Sequence, residues 1–407
     1  MTKKSDAPAI RFKGFSDAWE QRKVGDLLIE RNQQAPMSDE YPLMAFIANE
    51  GVAPKGERYD RSALVTDTVN KLYKKTEKGD FIYSSNNLET GSIGLNKYGK
   101  ACISPVYSIF EPTGIADSDF LGRRLVRKDF INAMVKWRQG VIYGQWRIHE
   151  SDFLKIEITV PSVEEQRKIG TYLDQLDHLI TLHQRKFEKL TNVKKSMLEK
   201  MFPQNGSSYP EIRFKGFTDP WEQRKLGDVV KEITRNDPES EAPIMMITAN
   251  NGFIEQSERY AFNNAGESLK KYILLKKGEL AYNHGASKLR PYGSCFALTT
   301  AENARIPFVY HCFSAENQNA EFMSIELNGA EIENQLRKIV SSGARMDGLL
   351  NISFDEYTSV SVILPGTEEQ DRIADFFRHL DNLITLHQRE LEKLQNIKKS
   401  MLEKMFV

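Results

Sequence analysis

Two segments of the chain carry hydrophobic residues at alternating spacings of three and four. The seam positions are Ile169, Leu173, Leu176, Ile180, His183, Phe187, Leu190, Lys194, Met197 and Met201 in the first segment, and Ile373, Phe377, Leu380, Ile384, His387, Leu391, Leu394, Lys398, Met401 and Met405 in the second. This heptad spacing predicts two helices of about forty residues, each roughly 60 Å long. A soluble helix of that length needs a partner, so we expect the two helices to form an antiparallel coiled coil.

More apolar residues flank each seam than two helices alone can cover. We therefore expect some of them to meet the neighbouring domains or another protein. His183 and His387 interrupt the seam, and we interpret them as residues that set its register, not as metal ligands. The predicted coiled-coil and partner-binding residues are Leu176, Leu179, Ile180, Leu182, His183, Phe187, Leu190, Leu380, Leu383, Ile384, Leu386, His387, Leu391 and Leu394.

Outside the two helices, short apolar runs alternate with polar turns and indicate mixed α/β domains. The strand-like runs are 81–83, 101–110, 156–160, 279–282, 307–313 and 360–364, and the helical stretches are 129–139 and 320–340. Trp19 and Trp221 lie beside phenylalanines in the repeated part of the sequence and are expected in the core.

The chain is one unit written twice. Residues 10–27 match residues 212–229 at fourteen of eighteen positions, and residues 176–202 match 380–406 at twenty-two of twenty-seven. Between these paired ends the two halves have diverged and keep only islands such as Glu57-Arg-Tyr against Glu258-Arg-Tyr.

The duplication gives the predicted architecture. We expect two α/β (α+β) domains, separated by a long antiparallel two-helix coiled coil and related by a pseudo-twofold internal duplication, with the end of the second helix returning to the start of the chain. The predicted domains are 1–160, 161–203 as the first helix, 204–211 as a linker rich in loop residues, 212–364, and 365–407 as the second helix.

Composition narrows the class of protein. A chain of 407 residues is too long for one core, and its 40% hydrophobic and 28% charged residues are typical of a globular protein. No apolar run reaches the length of a membrane span, so we expect a cytoplasmic protein without membrane contact. The cysteines at 102, 295 and 312 are scattered and are expected to be buried thiols.

Several catalytic motifs can be tested and rejected. The segment 94–101 resembles a phosphate-binding loop, but Ala101 stands where a magnesium-binding hydroxyl is required and a strand-like run follows. The chain also lacks a dinucleotide fingerprint, a His-Glu-x-x-His helix, a nucleophile elbow, a Cys-x-x-Cys pair and the Asn-Pro-Pro-aromatic tetrapeptide of amino-methylating enzymes. We expect no covalent chemistry, no metal and no cofactor in this chain.

Polar loops after the predicted strands favour recognition of nucleic acid. The basic and acidic residues balance at fifty-six each, so any such surface must be local, and basic residues cluster near 71–78, 123–128, 270–277 and 288–290. Two loops recur in each half, at 84–91 and 140–147 and at 283–288 and 343–348, and carry side chains able to bind bases or phosphates. The predicted DNA-binding residues are Ser84, Ser85, Asn86, Asn87, Lys97, Lys100, Tyr143, Gln145, Arg147, Asn283, His284, Ser287, Lys288, Arg290 and Arg345.

Two nearly identical helices with two diverged middles imply one shared partner surface and two different ligands. A coiled-coil adaptor that binds two protein ligands is the alternative, and the balanced charge favours it mildly. A self-contained DNA methyltransferase would need a cofactor pocket that the sequence does not show.

Three repeated motifs make the whole chain resemble the specificity subunit of a type I restriction-modification system. They are the Phe-Lys-Gly-Phe-x-Asp-x-Trp-Glu-Gln-Arg-Lys-x-Gly-Asp opening, the Pro-x-x-Glu-Glu-Gln entry into each helix (161–166 and 365–370), and the Lys-Lys-Ser-Met-Leu-x-Lys-Met-Phe ending.

The resemblance implies two target-recognition domains that each read half of a bipartite, asymmetric site in double-stranded DNA, with the helices as a ruler. It also implies two docked modification subunits that carry S-adenosylmethionine, and two restriction subunits that use ATP and Mg. No catalytic residue carries over to this chain.

Overall fold

The computed structural model describes residues 7–54, 71–142, 145–249, 252–258, 266–340 and 350–407. Contacts divide the chain into two compact units: unit 1 is Met1–Gln184 with Arg389–Val407, and unit 2 is Arg185–Gln388. Each unit thus holds one α/β domain, the first part of the helix that follows it and the last part of the helix of the other repeat. The predicted domain limits at 160, 203, 211 and 364 stay a prediction.

Unit 1 is built from short strands and four short helices, followed by a long helix. Its strands are β1 Glu20–Lys23, β2 Leu28–Glu30, β3 Gln34–Ala35, β4 Ala45–Ile47, β5 Gly51–Ala53, β6 Tyr73–Thr76, β7 Phe81–Tyr83, β8 Ile93–Leu95, β9 Ala101–Ile103, β10 Ser108–Pro112, β11 Gln139–Ile142, β12 Gln145–Arg147 and β13 Glu157–Val160. Its helices are α1 Val24–Leu27, α2 Ser118–Arg124, α3 Lys128–Val135, α4 Glu150–Phe153 and α5 Val163–Lys200.

Unit 2 repeats this order. Its strands are β14 Glu222–Lys225, β15 Val230–Glu232, β16 Met245–Thr248, β17 Gly252–Glu255, β18 Ile273–Lys276, β19 Leu280–Asn283, β20 Ser294–Ala297, β21 Asn303–Ile306, β22 His311–Ala315 and β23 Ser361–Leu364. Its α-helices are α6 Ala320–Glu326, α7 Ala330–Ile339, α8 Phe354–Thr358 and α9 Thr367–Lys404, and 3₁₀ turns lie at Leu226–Asp228, Gln256–Glu258 and Gly266–Lys271.

Each unit contains its own four-stranded antiparallel sheet, and the two sheets have the same topology. The strand order is β2-β10-β7-β8 in unit 1 and β15-β22-β19-β20 in unit 2. Tyr83 lies opposite Ser108 and Tyr282 lies opposite His311, which fixes the correspondence of residues between the copies. A two-stranded ladder closes each domain: Glu20 pairs with Val160, and Glu222 pairs with Leu364. The internal duplication therefore extends from the sequence motifs to the strand register of the diverged middles.

The two long helices have 38 residues each, about 57 Å at 1.5 Å per residue, as the heptad spacing predicts. In unit 1, Lys398 of α9 forms an ion pair with Asp177 of α5 at 2.5 Å. In unit 2, the same contact recurs between Lys194 and Asp381 at 2.5 Å. Met405 and Phe406 share a core with Ile169 near the start of α5, so within unit 1 the two helical segments run antiparallel.

Each domain packs its core onto the helices through an equivalent group of aromatic rings. In unit 1, Phe120 lies between Trp19, at 5.8 Å, and Phe406, which follows the end of α9, at 5.3 Å. In unit 2, Phe322 lies 5.8 Å from Trp221 and 5.7 Å from Phe202. Both tryptophans are buried, as predicted. Each such ring contributes roughly 1.5–3 kcal/mol by burial, so the helix ends are integral to the domain cores.

The repeated motifs at the start of each half and at the entry to each helix bind each other. Arg11 forms a two-bond ion pair with Glu165, at 2.9 and 2.7 Å, and Arg213 forms the same pair with Glu369, at 2.7 Å for both bonds. The two glutamates are only 1% exposed. A buried carboxylate requires such a partner, which explains why the arginine and the glutamate of the pair recur in both halves.

The end of each helix is hydrogen-bonded to the start of a domain. The N–H of Ile10 donates to the carbonyl oxygen of Lys404 at 3.0 Å. The N–H of Ile212 donates to the carbonyl oxygen of Lys200 at 2.9 Å. The same joint thus forms twice, once between residues that are close in the chain and once between residues almost four hundred positions apart. This is the result expected if the end of the second helix returns to the start of the chain.

Four predicted elements differ from their sequence patterns. The 307–313 run begins with a turn, in which the N–H of Tyr310 donates to the carbonyl oxygen of Pro307 at 3.0 Å, and the strand is β22 at His311–Ala315. The 101–110 run is two strands, β9 and β10, because Ser104-Pro105 interrupts the ladder where proline cannot donate. The 320–340 stretch is two helices, because the side chain of Asn328 turns to bind Cys295 and Gly329 caps the second helix. The 129–139 stretch ends at Val135 as α3. All three cysteines are buried thiols, as predicted.

Candidate nucleic-acid interface

In unit 1 the two predicted recognition loops, far apart in sequence, are joined by hydrogen bonds. The side-chain oxygen of Asn86 accepts from the N–H of Trp146 at 2.6 Å. The hydroxyl of Ser85 accepts from the N–H of Ile148 at 3.0 Å. Arg138 donates to both carboxylate oxygens of Glu89, at 2.6 and 2.7 Å. The structure therefore brings the 84–91 loop against the β11–β12 hairpin.

The side chains at this junction divide into exposed and internal groups. Arg147 has 68% of its side chain exposed and lies 4.0 Å from Glu150 at its closest charged atoms. Trp146 beside it is 45% exposed and lies 6.0 Å from the guanidinium of Arg138. Asn87 is also exposed, whereas Ser84 is buried. An exposed arginine next to an exposed aromatic ring is a combination that can bind a base and a phosphate together.

Two predicted lysines are already balanced by acidic side chains. Lys97 forms ion pairs with Asp174 at 2.8 Å and Asp119 at 3.7 Å, which attaches it to helix α5. Lys100 forms an ion pair with Glu40, and this pairing lowers the pKa of the Glu40 carboxyl. Compensated charges of this kind release little counterion on meeting DNA, so these two residues are weaker candidates than Arg147.

The basic run in α2 and α3 has the same internal use. Arg123 donates to Asp177 at 2.9 Å, and Arg124 pairs with Asp129 at 2.9 Å. Arg127 donates to the carbonyl oxygen of Leu402 at 2.6 Å. Arg123 and Arg127 hold the domain of unit 1 onto the helical segments, whereas Arg124 is paired within the domain.

In unit 2 the predicted residues form a tightly bonded loop. Asn283 donates to the carbonyl oxygen of Ile247 at 3.1 Å and accepts from the N–H of Gly285 at 2.9 Å. The hydroxyl of Ser287 accepts from the N–H of Arg290 at 3.0 Å. These bonds hold the loop open around Lys288, whose side chain is exposed.

Arg290 is directed inward. It is half-buried and donates to the carbonyl oxygen of Asn328 at 2.7 Å, and burial lowers the pKa of its guanidinium. The geometry fits a residue that holds the loop onto α6 and α7 better than one that reads DNA.

His284 is buried at the base of the same loop. Its Nδ1 lies 2.7 Å from the carbonyl oxygen of Leu350, and its Nε2 lies 2.6 Å from the carbonyl oxygen of Val309. The local sequence did not indicate that His284 is buried, because the segments that cover it come from distant parts of the chain.

Three predicted residues cannot be placed. Tyr143 and Arg345 lie outside the described residues, as do Gly144 and the 343–348 loop. Gln145 belongs to the backbone of β12, and its side chain lies outside the described part. Arg58 and Tyr59 of the Glu57-Arg-Tyr island also lie outside the described residues, as do their counterparts Arg259 and Tyr260.

The long helices present an exposed apolar surface that recurs in both copies. Leu179 and Leu182 are 39% and 38% exposed, and their counterparts Leu383 and Leu386 are 44% and 51% exposed. Leu176 and Leu380 are buried. The remaining predicted seam residues are half-buried: Ile180, His183, Phe187, Leu190, Ile384, His387, Leu391 and Leu394.

Within the described ranges, no cluster of three or more histidine, cysteine, aspartate or glutamate side chains could hold a metal ion. Among the helices that the structure describes, none combines the length and apolar character needed to cross a membrane.

Comparison with known proteins identifies the family. The family described as type I restriction modification DNA specificity domain matches residues 16–192 and again residues 218–396. The type I restriction enzyme MjaVIII specificity subunit of Methanocaldococcus jannaschii is 23% identical over 416 residues, covering 94% of this chain and 91% of that protein. The putative MjaX specificity subunit of the same organism is 22% identical over 278 residues, covering 64% of this chain and 60% of that protein.

A solved structure shares the fold over nearly the whole length. It is the S subunit of a type I restriction-modification system from M. genitalium, with a TM-score of 0.57 and 13% identity, covering 98% of this chain and 99% of that one. The chain belongs to the family of type I restriction-modification specificity subunits. The chain recognises DNA sequence and is not an enzyme in its own right. The two alternative functions, a self-contained DNA methyltransferase and a protein-binding adaptor without nucleic acid, are therefore excluded.

Proposed function

We propose that each unit reads one half of a bipartite, asymmetric site in double-stranded DNA. The observation that carries this proposal is the joining of the 84–91 loop to the β11–β12 hairpin, which brings exposed Trp146 and Arg147 against the loop that carries exposed Asn87. The corresponding loop of unit 2 offers Lys288. Because the two loops differ in sequence while their domains share one topology, the two half-sites differ.

The residues that we assign to DNA recognition come from the predicted set, and they are not equally strong candidates. Asn86, Asn87 and Arg147 in unit 1 and Ser287 and Lys288 in unit 2 are the strongest candidates. Tyr143, Gln145 and Arg345 remain candidates from the sequence. Ser84, Ser85, Asn283, His284 and Arg290 support the loops from within, and Lys97 and Lys100 lie in ion pairs.

The exposed leucines of the long helices are the proposed docking surface for two modification subunits. Leu179 and Leu182 repeat as Leu383 and Leu386, so one surface occurs twice and fits two copies of one partner. S-adenosylmethionine, ATP and Mg would then be bound by the modification subunits and by two restriction subunits recruited through them. The complex would act in the cytoplasm, where its DNA target lies, and the length of the helices would set the spacer between half-sites.

Methylation mapping tests the reading function. DNA from cells that express the complex should carry methylated bases in one motif with two unlike halves and a fixed spacer. Cells that carry the modification subunit without this chain are the control. A single continuous motif, or none, would contradict the proposal.

The docking surface is tested by charge. Leu179→Asp with Leu182→Asp should abolish binding of one modification subunit, because an aspartate buried in an apolar contact costs several kcal/mol. The Leu383→Asp and Leu386→Asp pair should remove the other, and analytical ultracentrifugation counts the bound subunits. Lys186→Asp, an exposed change on the same helix, should leave both bound.

A further inference from the structure

Two stacked histidines in unit 2 occupy the positions of two serines in unit 1. Ser108 and His311 stand opposite Tyr83 and Tyr282 in equivalent strand pairs, and Ser85 and His284 each follow those tyrosines by two residues. The rings of His284 and His311 have centroids 5.3 Å apart and planes 18° apart.

All four side chains bind the segment that returns towards the last strand of the domain. In unit 1, Ser85 accepts from the N–H of Ile148, and Ser108 donates to Glu150 at 2.8 Å. In unit 2, the ring nitrogens face carbonyl oxygens: Leu350 at 2.7 Å from His284 and Ile352 at 3.0 Å from His311. The same two positions therefore hold the same segment by different chemistry.

His284 also binds a third segment. Its second nitrogen lies 2.6 Å from the carbonyl oxygen of Val309, and its own carbonyl accepts from the N–H of Leu350 at 2.9 Å. One side chain thus joins the loop that carries Lys288, the turn with exposed Phe308 and Val309, and the return segment.

The hydrogen-bond chemistry of this site selects a protonation form. A carbonyl oxygen can only accept, and a neutral imidazole carries a single N–H, so both contacts of His284 are satisfied only when both nitrogens are protonated. His311 makes a single contact of this kind, which the neutral ring satisfies.

The surroundings agree with one charged and one neutral ring. Burial, together with the charge of His284, lowers the pKa of His311. The rings that stack on the pair belong to Tyr282 and Tyr357, whose pKa values are raised by burial. Glu232 interacts electrostatically with His311, and a carboxylate favours a positive charge nearby.

We propose that His284, supported by His311, is a positioning residue that locks the three loop segments of unit 2 into one DNA-reading surface through two donated hydrogen bonds. The inference rests on the proposed reading function of these loops. Unit 1 holds the equivalent segment through serines, so only the reading of the second half-site should depend on this histidine clamp.

The test uses the complex of this chain with its modification subunits. The probes are the mapped duplex and two duplexes in which one half-site or the other is scrambled. His284→Gln, which can donate to one carbonyl only, should lower discrimination of the second half-site by about tenfold and leave discrimination of the first unchanged.

The serine pair of unit 1 supplies the matched variant. His284→Ser with His311→Ser should likewise weaken discrimination of the second half-site, and Ser85→Ala should leave that discrimination unchanged. Equal losses at both half-sites, or wild-type discrimination of the second half-site in His284→Gln, would overturn the proposal.

A second measurement separates this inference from the proposed function. In ¹⁵N–¹H spectra of the imidazole rings at about pH 6, His284 should show two protonated nitrogens and His311 one. If the complex reads no sequence yet the spectra show this pattern, the clamp stands and the reading function fails. A singly protonated His284 would overturn the clamp whatever DNA binding shows.

Discussion

The two units attach their domains to the long helices through the same ion pair, but they support their loops with different side chains. At the attachment, Arg11 with Glu165 and Arg213 with Glu369 make the same bidentate pair with the same residues. At the loops, the serine pair of unit 1 is replaced by a histidine pair. The ion pair that joins the opening motif of each half to its long helix has been retained, whereas residues that support the loops have changed together with the loops.

A second pair of positions shows how far this divergence reaches into the domains. Arg124 ends α2 in unit 1 and pairs with Asp129, whereas Glu326 ends the equivalent helix α6 and accepts from the N–H of Ile363 at 3.2 Å. The last residue of one helix has thus reversed its charge between copies. At this position the shared topology therefore accommodates side chains of opposite charge.

The largest expected effect breaks the retained attachment. Glu165→Ala and Glu369→Ala should each lower the free energy of unfolding of their own unit by about 3–5 kcal/mol, because a buried ion pair loses one partner. Hydrogen exchange, followed separately for peptides of each unit, measures this change.

The matched control for that experiment is Glu20→Ala, which removes the exposed pair with Arg22 at 2.6 Å. Exposed pairs contribute about 0–1 kcal/mol, so little should change. Unequal losses in the two units would show that the attachments are not equivalent.

A pH effect sharpens the comparison of Arg124 with Glu326. Burial raises the pKa of the Glu326 carboxyl to about 7, above the ordinary value of 4.5. The folded state then binds a proton that the unfolded chain has lost, so the stability of unit 2 should fall by up to about 3 kcal/mol as pH rises from about 4.5 to about 7.

Glu326→Gln should remove that slope in unit 2 and leave unit 1 unaltered. Chemical denaturation at several pH values, monitored by hydrogen exchange in α6, provides the measurement. A slope that persists in the glutamine variant would assign the proton to another group.

The smallest effect concerns the loops themselves. Arg147→Ala should weaken discrimination of the first half-site by about 1–3 kcal/mol and leave the second unchanged. Lys97→Ala is the control, since its charge is paired with Asp174 and Asp119. Binding titrations with the mapped duplex separate the two, and a larger loss for Lys97→Ala would show that the reading surface lies nearer to α5.

The helices and their attachment were predictable because their signals are periodic or repeated. The heptad spacing predicts two helices of about forty residues, and each has 38. The burial of Trp19 and Trp221 and the return of the chain end to Ile10 follow from the duplication alone.

The loops were less predictable because a side chain's role there depends on segments that are distant in sequence. His284 and Arg290 have the chemistry of reading residues, yet both bind backbone carbonyls within the domain. Lys97 is neutralised by Asp174 of a helix that begins more than sixty residues later. Local composition identifies a polar loop, but not which of its side chains point outward.

The bond of Ile10 to Lys404, a copy of that of Ile212 to Lys200, means that the order in which the two halves are encoded is arbitrary. A gene opened at 204–210, with residue 407 spliced to residue 7, would specify a permuted polypeptide that keeps the described contacts of both units outside that segment. Exchange of genetic segments within the sequences of α5 or α9 would likewise graft a foreign domain onto an unchanged joint, so new DNA specificities could arise by recombination without redesign of the assembly.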